Sequence, residues 1–202
     1  MSLIGSMVVY PGYGVALVSR ELIRDINDVA VSFYELKFLD KDVTILVPKD
    51  GFEHVGIRAL STKKDVEKIY DIFRESLSED WLEETCKVSW NRRNKDYQNR
   101  IRNGDLIDVA RIYRDLKYIA FYKGLSFGEK AVLSQVGTLL SEECSAIEKK
   151  PIETVVAELK GACEGSLRAN AGIITKVADS TVSTWYNLHW KRSWFKIIKV
   201  KK

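Results

Sequence analysis

Histidine, cysteine and long apolar runs are scarce in this 202-residue chain, and each scarcity excludes a class of protein. The two histidines, His54 and His189, lie far apart, and neither has the spacing of a metal site or a catalytic triad. The cysteines Cys86, Cys144 and Cys163 are odd in number and widely separated, which favours free thiols in a reducing cytoplasm. No stretch approaches the roughly eighteen apolar residues of a membrane span.

Basic residues are not in general excess, although the net charge is +4. Residues 1–60 carry 6 Lys and Arg against 8 Asp and Glu, residues 61–160 carry 18 of each, and residues 161–202 carry 8 against 2. The excess therefore belongs to the end of the chain. Any case for DNA binding must depend on local clusters of cations.

Residues 7–58 have the pattern of short strands. Apolar, β-branched and aromatic runs alternate here with Gly, Pro, Asp and Asn. About five strands in some fifty residues predict a small barrel or a strongly bent sheet. We interpret residues 11–14 (PGYG) as a turn rather than a phosphate loop, because the lysine and the following helix of such loops are missing.

Residues 61–160 have the pattern of an all-helical domain. Thr62 and Ser126 each begin a capping box, and Gly104 and Gly124 follow predicted helix ends. A last helix is predicted from Pro151 to about Lys160, and the segment 81–87 remains undecided. We thus predict an α+β multidomain chain, with a β domain over residues 1–60, a helical domain over 61–160 and a basic, aromatic tail over 161–202.

No pair of side chains indicates catalysis. Glu83-Glu84 and Glu142-Glu143 are adjacent carboxylates, which point to different faces of a helix and are better explained as solvated surface. His54 is interpreted as a surface residue near a strand end. We expect no enzyme activity, no metal and no cofactor.

Residues 89–95 (SWNRRNK) place a large ring directly before three cations. An aromatic side chain beside cations suits a protein that wedges open a DNA base step and holds the neighbouring phosphates. The alternative is a helix that buries Trp90 and leaves its cations in water, and the segment by itself favours this second interpretation.

The chain resembles the CarD/CdnL family of bacterial transcription regulators over roughly residues 5–160. The resemblance begins at residues 8–15 (VVYPGYGV) and continues through 43–48 (VTILVP) and 55–58 (VGIR). In the helical part it is carried by the following segments: 90–95 (WNRRNK), 104–105 (GD), 109–110 (VA), 114–116 (RDL) and 125–130 (LSFGEK).

The resemblance implies that the β domain, Tudor-like in fold, docks on the β subunit of RNA polymerase, partly by adding an edge strand to a polymerase sheet. The residues implied in this contact are Arg24, in a loop between early strands, and Val43, Thr44, Ile45, Leu46 and Val47. Leu46 stands where some members of the family have a basic residue.

The resemblance also implies that the helical domain contacts promoter DNA at the upstream edge of the transcription bubble, largely without regard to sequence. Trp90 matches the wedge tryptophan of the family, and Asn94 replaces a common aromatic residue. The residues implied in DNA contact are Trp90, Asn91, Arg92, Arg93, Lys95 and Lys87. We expect a monomeric cytoplasmic protein, associated with the nucleoid through RNA polymerase and without membrane attachment.

Two alternatives remain open. In the first, the chain is a protein–protein adaptor in which Trp90 belongs to the core. In the second, the tail has the leading role, because a basic end rich in tryptophan resembles an interfacial membrane helix or a nucleic-acid-binding arm. For the tail itself, we favour an appendage or a remnant of an expression vector over either binding role. Its pattern fits either a helix with Trp190 and Trp194 on one stripe or a strand over residues 181–186.

Overall fold

The computed structural model describes residues 3–39, 41–52, 54–75 and 77–180 and, Glu79 excepted, side chains as far as Arg168. Met1–Leu167 form one compact unit and Arg168–Lys202 a second. The predicted order, a β part followed by helices, is confirmed. The predictions for residues 181–202 lie outside the described residues.

The β part is one five-stranded antiparallel sheet with the strand order β4-β3-β2-β1-β5. Its strands are β1 (Met7–Tyr10), β2 (Gly14–Ile26), β3 (Val29–Phe38), β4 (Thr44–Pro48) and β5 (Arg58–Ala59). The sheet has an apolar core of its own, in which Val18 and Leu36 are fully buried. β4 and β5 are the two ends of the sheet, so β4 presents an edge to solvent within the described chain.

β2 and β3 form a hairpin that is much longer than the pattern predicts, and Arg24 lies in β2 rather than in a loop. Asn27 and Asp28 both have positive φ, as a two-residue hairpin turn with primed geometry requires. The register shifts between Val18 and Arg20, which marks a β-bulge. Beyond the bulge most of β2 is exposed. The charged sequence that suggested a loop therefore forms the solvent-exposed end of a projecting hairpin.

Apart from α2, whose segment had no prediction, and the end of α6, the helices begin and end close to the predicted positions. They are α1 (Lys63–Arg74), α2 (Glu79–Lys87), α3 (Trp90–Asn103), α4 (Leu106–Lys123), α5 (Phe127–Glu148) and α6 (Ile152–Ser180). Both predicted capping boxes are present, at Thr62 and at Ser126. Gly104 ends α3 in the left-handed conformation. Ser89 occupies the N-cap of α3 but makes no side-chain capping bond.

The helical core continues further along α6 than predicted, because this helix does not end near Lys160. Val155, Leu159, Cys163 and Leu167 are buried at four-residue intervals. One continuous apolar stripe therefore persists past the intervening Gly161 and Gly165. α5 lies at the centre of the first unit, since it packs on α1, on α4 and on β2 of the sheet.

Candidate nucleic-acid interface

Trp90 is the first residue of α3 and lies at the edge of the helical core, partly buried and partly exposed. Its indole rests against the first turn of α5. A Cβ atom placed on Gly128 would lie 2.9 Å from both Cζ2 and Nε1 of the Trp90 ring. Only glycine at position 128 lets the ring lie this close to the helix backbone.

Arg93 holds the inner side of Trp90 and is not available to a phosphate. It is 9% exposed, its Nη2 donates to Glu129 Oε1 over 2.7 Å, and its guanidinium carbon lies 5.6 Å from the centre of the Trp90 ring. This placement differs from the expected surface position of Arg93. One turn after Trp90, Arg93 falls on the inner face of α3 together with Tyr97 and Ile101.

Glu129 connects the start of α5 to Arg93, the residue behind Trp90. Its Oε2 accepts bonds from Ser126 N and Ser126 Oγ, while its Oε1 accepts the bond from Arg93. Burial alone would raise the pKa of Glu129, but the bonds from Ser126 and Arg93 outweigh burial and lower the pKa below its ordinary value. Glu129 is therefore an ionised carboxylate that fixes both the helix cap and the residue behind Trp90.

The exposed cations nearest to Trp90 on α3 are Arg92 and Lys95. Both are exposed on α3, and neither forms an ion pair with a residue in the described ranges. Asn91 is exposed beside them, whereas Asn94 is half-buried. Lys87, at the end of α2, is exposed but lies 3.8 Å from Glu83.

Arg100 is a cation of the same helix whose charge is already compensated. Its guanidinium lies 3.6 Å from Asp96 and 3.4 Å from Asp108. Counting the Lys and Arg residues of α3 would therefore overestimate the positive surface. Arg92 and Lys95 lie near the start of the helix, beside Trp90, whereas the exposed Arg102 lies in the last turn and donates to Asn99.

Phe127 completes this surface and was missed by reasoning from the sequence. It is the first residue of α5, precedes the Gly128 that supports Trp90, and is 90% exposed. Helical periodicity could have predicted this exposure. Around the axis of α5, Phe127 lies about 140° from the buried stripe that begins at Val132. The two aromatic residues Trp90 and Phe127, together with the exposed Arg92 and Lys95 of α3, form what we call the wedge surface.

The residues expected to contact the polymerase lie at the opposite sequence end, in the sheet. Thr44, Ile45, Leu46 and Val47 lie in the edge strand β4, and Val43 directly precedes it. Val47 is buried in the sheet core, so its side chain does not reach a partner, whereas the outer backbone edge of β4 is open. Around Arg24, the hairpin tip carries exposed apolar side chains: Ile23, Ile26 and Val29.

Glu142 and Glu143 correct the expectation of a solvated pair, because both carboxylates are buried. They lie where α5 meets the sheet and bond to residues of the β part. His54 is exposed, as expected. Within the described ranges, no three His, Cys, Asp or Glu side chains come together as a metal site would require.

The comparisons with known proteins now assign the helical part. Residues 68–160 match the family model of the CarD C-terminal domain. The helical part of the chain is therefore similar to the C-terminal domain of CarD proteins. The wedge surface, Glu129 and the buried pair Glu142-Glu143 all lie within the matched CarD domain. A candidate transcription factor of Bacillus subtilis (strain 168), YdeB, is 23% identical over 145 residues, which cover 72% of this chain and 91% of YdeB.

A transcription regulator is the class of function that the CarD match and this relative support together. Along the described part of the chain, no helix combines the length and apolar character needed to cross a bilayer.

Proposed function

We propose that this CarD-type chain docks on the β subunit of RNA polymerase through its sheet and stabilises the promoter open complex with Trp90. The indole is wedged at the upstream edge of the bubble. One observation carries the proposal: the ring is held from behind by Gly128 and Arg93 yet remains partly exposed, beside cations that have no partner in the described chain.

The energetics of the wedge favour a junction that is already opening. Unstacking a base step costs on the order of a few kcal/mol, and this cost falls where the duplex is already parted. A ring inserted there opposes rezipping of the duplex. Each 1.4 kcal/mol of stabilisation changes the open-complex population about tenfold. A rigidly supported Trp90 suits this role because little side-chain freedom is left to lose on insertion.

The wedge surface is too small to bind DNA tightly by itself. Arg92 and Lys95 can neutralise about two phosphates, which is far fewer than the 6–10 contacts typical of strong binders. Docking on polymerase makes the DNA contact intramolecular, at roughly millimolar effective concentration. We therefore expect weak, sequence-tolerant binding to bare DNA and strong dependence on the holoenzyme.

The open edge of β4 supports the docking step. An exposed edge strand presents unpaired N–H and C=O groups that can pair with a strand of a partner sheet. The projecting β2–β3 hairpin, with Arg24 among exposed apolar residues, adds a side-chain surface next to this edge. The departure at Leu46 removes a charge in this region but leaves backbone pairing unaffected.

A gel shift with fork-junction promoter DNA and holoenzyme tests the proposal. The chain should supershift the complex and slow its dissociation. A pure adaptor would bind holoenzyme without slowing release of the DNA. Equal dissociation rates with and without the chain would therefore exclude the wedge.

We predict that the double variant Arg92→Gln/Lys95→Gln weakens the salt dependence of binding to the polymerase–promoter complex. Loss of two phosphate contacts should reduce the slope of log K against log salt by about 1.8. Arg100→Gln is the matched control, because Arg100 lies on the same helix but is already paired with Asp96 and Asp108. A control that changed the slope as much as the double variant would contradict the assignment of these cations.

We also predict that Gly128→Ala displaces the Trp90 ring and shortens the open-complex lifetime without lowering the melting temperature. The added methyl would enter the indole contact, whereas alanine is the better helix former. Gly137→Ala is the matched control on the same helix, since its Cβ would meet Tyr113 at 3.4 Å, an ordinary contact distance. Equal lifetimes for the two variants would argue against the support of Trp90 by Gly128.

A further inference from the structure

The junction between sheet and helices contains two buried carboxylates. Glu142 and Glu143 are adjacent on α5 and are 6% and 3% exposed. Burial of a carboxylate is costly unless charged and hydrogen-bonding partners surround it. The partners of these two residues lie in the β part of the chain, far away in sequence.

The Glu143 carboxylate accepts four hydrogen bonds from residues at the end of the sheet. Arg58, in β5, donates from Nη1 to Oε1 over 2.7 Å and from Nη2 to Oε2 over 2.8 Å. Ser61 adds bonds from its backbone N at 3.0 Å and its Oγ at 2.7 Å. The Nε of Arg58 also donates to the carbonyl of Gly104, over 2.7 Å. Arg58 therefore joins β5 to both α5 and the end of α3.

Glu142 binds the start of β2. Its Oε2 accepts a bond from Val15 N over 3.3 Å, and Lys41 Nζ lies 3.6 Å from its Oε1. Gly14 is essential to this approach, because a Cβ atom on it would overlap the Glu142 carboxylate. The second glycine of the PGYG turn thus admits a side chain from the helical part.

The PGYG turn also contacts α3 directly. Pro11 packs against Gly104, where an added Cβ would lie 3.2 Å from the proline ring. The turn and the two carboxylates therefore act on the same junction from different sides. Two adjacent acids oriented toward different partners define one relative placement of sheet and helices, whereas an apolar contact of equal area would tolerate sliding.

We propose that Glu142 and Glu143 are positioning residues that clamp the sheet to α5, so that the polymerase-docking edge and Trp90 move as one rigid body. The inference rests on the proposed function and deepens it. α5 carries the seat of Trp90 at Gly128 and Glu129 and the clamp about 20 Å further along the same helix. A rigid connection through α5 restricts the Trp90 ring to positions near one base step. The effective concentration of the ring at that step is then higher than a flexible linker would give.

Distance measurement tests the clamp in the free protein. Spin labels at Ile23→Cys in the hairpin and Lys123→Cys at the end of α4 are placed in a Cys86→Ser chain, since Cys144 and Cys163 are each 1% exposed and unreactive. We expect one narrow distance distribution for this labelled chain. It should become broad for Glu142→Gln/Glu143→Gln and stay narrow for Glu153→Gln, the same change at an exposed position of α6.

The functional arm measures polymerase affinity and open-complex lifetime with the same variants, unlabelled. The double glutamine variant should bind polymerase unchanged and shorten the lifetime about tenfold. Should its melting curve show unfolding, Gly14→Ala replaces it, because this variant displaces Glu142 without removing a charge.

A broad distribution in the parent, a narrow one in the clamp variant, or a broadened distribution with an unchanged lifetime would each overturn the clamp. Failure of the proposed function is distinguishable from these results. In that case the unmodified chain itself would not lengthen the lifetime over polymerase alone, and the distance distributions would still decide whether Glu142 and Glu143 fix the junction.

Discussion

Replacing Trp90 with alanine is expected to shorten the lifetime of the promoter open complex by about tenfold or more while polymerase binding persists. The indole is the only large ring in α3 that combines solvent exposure with rigid support from behind. Removing it eliminates the obstacle to rezipping, and a loss of only 1.4 kcal/mol corresponds to a factor of ten. The measurement is decay of preformed open complexes after addition of a competitor.

Two further variants distinguish the contribution of the Trp90 wedge from that of docking on polymerase. Trp90→Phe retains a ring and should keep part of the effect. Arg24→Glu leaves the wedge surface intact but places a negative charge on the docking hairpin, so it should reduce polymerase binding and, with it, the lifetime. An unchanged lifetime for Trp90→Ala, in the presence of normal polymerase binding, would refute the wedge.

Replacing Glu129 with alanine is expected to destabilise the folded chain by about 3–5 kcal/mol. The change leaves the guanidinium of Arg93 buried without its carboxylate, and it also removes one half of the capping box of α5. Breaking a buried pair on one side costs far more than losing a surface pair, because the remaining charge stays desolvated. Denaturant unfolding, followed by circular dichroism, gives the difference in free energy of unfolding.

Glu83→Ala is the matched control for this prediction. Glu83 also faces a cation, Lys87, but both side chains are largely exposed and lie 3.8 Å apart. Exposed pairs contribute about 0–1 kcal/mol, so the control should be nearly as stable as the parent. A loss of less than about 1 kcal/mol for Glu129→Ala would show that Arg93 can reach water when its partner is removed.

Local signals predicted most of the secondary structure correctly. The capping boxes at Thr62 and Ser126 and the glycine at 104 act within one helical turn of the chain, so residue type and spacing were sufficient to place these helix ends. The same reasoning failed for the β2–β3 hairpin. A strand that projects beyond the core has no buried face, so its charged sequence gives no alternation to detect.

The wedge surface was predicted in part. Its residues Trp90, Arg92 and Lys95 are all on the segment that the sequence singled out, and they are exposed or partly exposed. Arg93 has the same chemistry as Arg92 and is its neighbour, yet it is buried against Glu129. Phe127 lies on another helix and enters the surface only because Gly128 brings α5 next to Trp90.

The sequence by itself determined the order of β part and helical part, the ends of most helices and the family resemblance, because these depend on residues close together in the chain. Tertiary structure alone decided which charges are reachable and which are structural. Arg93 meets Glu129 across 36 residues, and Arg58 meets Glu143 across 85. The cost of burying a charge depends on partners at that distance in sequence, so no local pattern could distinguish the buried Arg93 and Glu143 from solvated surface residues.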